Sequence, residues 1–102
     1  MTALKDLEVT GVADADSRQA PRFPLNCRVR VSCLVTERSG AAQGLNISAH
    51  GMAFLAPDLL ADGTLVQVAL PNSGFISLAR VRNCSWHEAG WRIGVELLGS
   101  LG

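Results

Sequence analysis

The sequence predicts an all-β domain, a small sandwich or barrel. Three observations carry that reading. No segment after residue 16 shows the 3.6-residue apolar period of a helix. Six short strand-like segments are separated by turn clusters rich in Gly, Pro, Asn and Asp. The length of 102 residues fits one domain with one modest core.

In chain order, residues 1–16 read as an N-terminal extension. Leu4, Leu7, Val9 and Val12 give it apolar points that can dock on the domain, while Gly11 and Ala13-Asp14-Ala15-Asp16 predict a flexible approach to it. Pro21 and Pro24 are expected to keep residues 17–24 out of regular structure, because proline lacks a donor and restricts its neighbour. From Leu25 to Val35 the alternation is near-perfect. Leu25, Cys27, Val29, Val31, Cys33 and Val35 share one face, Asn26, Arg28, Arg30 and Ser32 the other, and Leu34 alone breaks the rule. Period two over this length predicts a long antiparallel strand with Arg28 and Arg30 pointing outward.

Glu37-Arg38-Ser39-Gly40 reads as a turn, and residues 42–47 and 52–56 as strands. Ala61-Asp62-Gly63 precedes a short apolar strand, Thr64–Leu70. Pro71-Asn72-Ser73-Gly74 then turns into Phe75–Trp86, long enough to bend, and Glu88-Ala89-Gly90 closes a hairpin into Trp91–Leu98.

Composition excludes several classes. The chain is 48% hydrophobic and 18% charged, too apolar for disorder. No apolar run approaches the roughly 20 residues that span a membrane, and no secretory leader is visible. Cys27, Cys33 and Cys84 are an odd set without metal-ligand spacing, which predicts no disulfide framework and no metal. Cys27 and Cys33, on the apolar face, read as small buried hydrophobes of a reducing cytoplasm. His50 and His87 have no paired carboxylates or nucleophile motif beside them, so no enzyme is expected. Net charge is zero, and with three Phe, two Trp and no Tyr the chain makes a poor platform for nucleic acid.

The zero net charge hides an asymmetry. Residues 1–16 carry Lys5 against Asp6, Glu8, Asp14 and Asp16, a net of −3; residues 17–36 carry Arg18, Arg22, Arg28 and Arg30 and no acid, a net of +4. Lys5 is the one lysine, and a guanidinium binds phosphate or a purine edge bidentately.

Two patterns carry chemistry. Arg18-Gln19-Ala20-Pro21-Arg22 places two arginines four residues apart in a Pro-containing loop ahead of the long strand. Two guanidiniums on a loop can converge on one anion, or bond the N7 and O6 edge of a guanine. Solvated loop arginines are the bland alternative. Asn46-Ile47-Ser48-Ala49-His50-Gly51 reads N-x-S-x-x-G. Asn46 offers a carboxamide that donates and accepts, Ser48 a hydroxyl, and Gly51 close backbone approach. An ordinary turn is the bland alternative here.

The two patterns in this order, in an all-β context, resemble the PilZ domain. The resemblance covers roughly residues 16–99, and Gly90-Trp91-Arg92-Ile93-Gly94-Val95-Glu96-Leu97 is similar to the family's closing strand. The resemblance implies a six-stranded antiparallel β-barrel of the split-barrel type over residues 17–99; many members continue into a C-terminal helix, which is expected here to be absent or very short. It implies a cytoplasmic receptor for cyclic di-GMP that needs no cofactor or metal. Arg18 and Arg22 would grip the ligand's phosphates and guanine faces, and Asn46, Ser48 and Gly51 would cradle a guanine. Ligand would order the arginine loop and a protein effector would read the change. Ser17 stands where many members carry a further arginine, which favours one ligand molecule per site. Two other readings remain: a PilZ-fold interaction module that does not bind the nucleotide, and a nucleic-acid-binding small barrel lined by Arg28, Arg30, Arg80, Arg82 and Arg92.

Overall fold

A computed structural model of the protein describes residues 21–100. Among them are seven strands and no helix: β1 (Phe23–Pro24), β2 (Arg28–Cys33), β3 (Ser39–Ile47), β4 (Gly51–Ala56), β5 (Leu65–Leu70), β6 (Phe75–His87) and β7 (Gly90–Ser100). Every pairing is antiparallel. The order β3-β2-β5-β6-β7-β4 closes on itself through a β3–β4 pairing, which makes a six-stranded barrel. With no helix among these residues, none is long and apolar enough to cross a membrane.

Alternation along each strand fills the barrel. Val29, Phe54, Val66, Val68, Val81 and Ile93 are fully buried, and Met52 nearly so. Phe54 is the largest of these side chains; burying it contributes about 2–3 kcal/mol. Ser77 is the one buried polar residue among those described, and its hydroxyl lies 2.9 Å from the carbonyls of Leu78 and of Gly99 across the ladder.

The predicted long strand Leu25–Val35 is interrupted. β1 and β2 lie in line on the same edge of β3, but the register steps by one residue between Pro24↔Asn46 and Arg28↔Gln43. The stretch Leu25–Cys27 absorbs the step, held by Leu25 N–H donating to Leu45 O and Gly44 N–H donating to Cys27 O, both at 2.9 Å. An extra residue in one strand of a pair is a bulge, and it spoils the alternation locally. Cys27 is therefore exposed, against the expectation from its apolar face. Val35 is 80% exposed, because the strand ends at Cys33 and Val35 falls in the following turn. Cys33 and Cys84 are half-buried. The prolines also leave more structure than expected. Pro24, which has no N–H to give, is tolerated in the two-residue β1, where Phe23 pairs with Ile47.

Candidate nucleotide site

Two bulges build the outer face of β3, β4, β7 and β6. Along β3, Ala42 and Gly44 are buried, so alternation alone would turn residue 46 inward. The β3–β4 register steps between Gly44 and Asn46, with Leu45 as the extra residue. Ile47 then takes the inner position against the core, and Asn46 faces out. β6 repeats the device. Ala79 and Val81 are fully buried, the register steps between Val81 and Asn83, and Cys84 returns to the core. Arg82 is the extra residue, and both Arg82 and Asn83 face out.

The ladder sets these residues in a row. Asn46 is opposite Ala53, Ala53 opposite Gly94, and Gly94 opposite Asn83. Two carboxamides thus flank a floor of the two smallest side chains. A groove of about 310 Å³ runs over this floor. Arg22, Asn46, Ser48 and Gly51 line one side, and Arg82, Asn83, Arg92 and Glu96 the other.

Arg22 reaches the groove because β1 ties its neighbours to β3. Its Nη1 donates to Asn46 Oδ1 at 2.5 Å, joining residues 24 apart in sequence. Ser48 holds the turn into β4. Its hydroxyl accepts from the N–H groups of His50 at 3.3 Å and Gly51 at 3.2 Å, while Ser48 N–H donates to Gly51 O at 2.8 Å. Gly51 suits a close approach: a Cβ there would stand 3.1 Å from the carbonyl oxygen of Val95, so the neighbouring strand would have to give by a few tenths of an ångström. On the far side Arg82 pairs with Glu96, with Nε and Nη2 at 3.0 and 2.8 Å from the same carboxylate oxygen. Three guanidiniums against one carboxylate leave the groove walls at a net of +2. Such a groove suits an anion bearing a planar polar group. Among the described residues no three His, Cys, Asp or Glu side chains come together to hold a metal.

A family model described as PilZ domain matches residues 16–100. The chain belongs to the PilZ family. PilZ domains are receptor and adaptor modules rather than enzymes, and the family is in general one of cyclic di-GMP receptors, although some members do not bind it. No curated protein matches the chain.

In this PilZ domain the residues singled out from the sequence divide cleanly. Arg22, Asn46, Ser48 and Gly51 meet at one groove. Arg18 lies outside the described residues. His50 is an exposed lining residue. The sequence reading misses the second wall, Asn83 and Glu96 above all, and places Arg82 and Arg92 only in the alternative of a nucleic-acid-binding barrel. A signal was present: apolar positions run odd through Ala79 and Val81, then even at Cys84, and such a parity switch marks a bulge.

Proposed function

We propose that this PilZ domain binds cyclic di-GMP in the groove and passes the event to a protein effector in the cytoplasm. Arg22, together with Arg18, engages the phosphates and a guanine face. Asn46 engages a guanine edge, and the turn held by Ser48 and Gly51 lets the ligand approach the barrel. One ligand molecule binds per site, since Ser17 offers no third guanidinium beside the pair. Binding orders the arginine segment over the groove, and the effector reads the new surface.

The observation that carries this reading is the Arg22–Asn46 contact, which unites the two sequence patterns at one cationic groove. Neither pattern needs the other for folding, since loop arginines are stable in solvent.

Isothermal titration with cyclic di-GMP tests it. Wild type is expected to bind with a stoichiometry of one. Arg22→Ala and Arg18→Ala are each expected to lower affinity about 10–100-fold, the usual loss for a hydrogen bond to a charged group. No binding by wild type overturns it and leaves a PilZ-fold interaction module; undiminished binding in both variants overturns the assignment of the site to the two arginines.

A further inference from the structure

We propose that the bulged pair Arg82–Asn83 is the second wall of the ligand site, with Asn83 reading a nucleobase edge and Arg82 meeting an anionic oxygen of the same ligand. The inference rests on the groove being a nucleotide site and assigns new residues to it.

The bulge is the first support. An uninterrupted β6 would carry residue 83 into the core beside Val81 and Ala79. The extra residue at 82 prevents this and sets two polar side chains outward in succession. Bulges recur beside binding sites because they re-aim a side chain.

The position of Asn83 is the second. It ends the row Asn46–Ala53–Gly94–Asn83. On a flat sheet three strand spacings put the two asparagine Cα atoms about 14 Å apart, and barrel curvature brings them closer. The amide of Asn83 lies over Gly94, toward Asn46, where a Cβ on residue 94 would stand 2.7 Å from Oδ1. Among the described residues this amide makes no hydrogen bond. Two facing carboxamides with a shallow floor between them match a planar heterocycle that has donors and acceptors along both edges.

The Arg82–Glu96 pair is the third. At 54% and 42% exposure it adds little to stability, so holding the fold does not account for it. Both contacts fall on one carboxylate oxygen through Nε and Nη2, and Nη1 stays available for a ligand. Glu96 thereby fixes the guanidinium at the groove rim. Arg82 supplies a cation from the rigid barrel, on the wall opposite Arg22.

Titration of cyclic di-GMP and cyclic di-AMP into wild type, Arg82→Ala, Asn83→Ala and Arg30→Ala tests the assignment, with a thermal melt of each. Arg82→Ala is expected to weaken cyclic di-GMP binding about tenfold or more and to flatten its salt dependence. Asn83→Ala is expected to weaken it about fivefold and to narrow the preference for guanine over adenine. Arg30→Ala, on β2, is expected to stay within about twofold, and all melts near wild type. Wild-type affinity in either groove variant, with Arg22→Ala still impaired, overturns this inference and leaves the proposed function standing. A wild type that binds neither nucleotide overturns both.

Discussion

The side-chain amide of Asn83 fills the space that a Cβ on Gly94 would need, with Oδ1 2.7 Å and Nδ2 2.9 Å from that position. The obstructing atoms are the free end of a flexible side chain, not backbone. Gly94→Ala is therefore expected to displace the amide and spare the strand. Urea unfolding should show a loss below about 1 kcal/mol, while cyclic di-GMP affinity falls as in Asn83→Ala. A large loss of stability, or unchanged affinity, would contradict this account of Gly94.

Ser48 is expected to matter for the turn as well as the ligand. Its hydroxyl accepts two backbone N–H groups of the loop it opens. Ser48→Ala should lower stability by about 1 kcal/mol. Ser48→Asp should recover most of it, since an Asx side chain accepts the same N–H groups. If the Ala variant unfolds at the wild-type urea midpoint, the hydroxyl does not hold the turn.

Phe54 is the largest fully buried side chain in the barrel. Phe54→Ala should lose about 3–5 kcal/mol, a large share of the roughly 5–15 kcal/mol that stabilises a domain. Phe54→Leu keeps more volume and should lose less. Equilibrium denaturation of the two variants against wild type checks the ranking; equal losses would mean that packing volume is not the cause.

Hydrogen bonds from the Thr36 hydroxyl, and then from its backbone amide, hold the Cys33 thiol below its ordinary range. The folded state thus favours the thiolate. The linked stability is present above the unfolded thiol pKa and is lost as pH falls through the folded value. Thr36→Val removes the leading cause. In a Cys27→Ser, Cys84→Ser background, the pH midpoint for iodoacetamide alkylation of Cys33 should rise in the Thr36→Val variant. An unmoved midpoint would show that Thr36 does not set the thiol's acidity.

All six barrel strands were legible in the sequence, because period-two alternation and turn residues are local signals. What escaped notice was where that period slips. Leu25–Cys27 continues the alternation in sequence, yet Cys27 is exposed, because the step belongs to its pairing with β3 and not to its own residues. Leu45 and Arg82 are likewise extra residues against a partner strand, and for Arg82 only the parity switch from Val81 to Cys84 hints at the step. The site was half legible for a related reason. Asn46, Ser48 and Gly51 sit close together in the chain and form a pattern. Asn83, Gly94 and Glu96 become neighbours only through the β6–β7 ladder, and none of them stands in a recognisable motif.

The Arg22–Asn46 contact also bears on what the groove rejects. An acceptor that takes the Nη1 N–H now given to Asn46 must displace that carboxamide oxygen, while the other N–H groups of the guanidinium need no exchange. For an uncharged sugar or free base the swap trades one ordinary hydrogen bond for another and gains almost nothing. An ionised phosphate oxygen meets the guanidinium as a full opposite charge, where the carboxamide offers only a dipole, and wins the exchange. At that one N–H the asparagine works as a built-in competitor, and a neutral molecule of similar shape gains less there than a charged one.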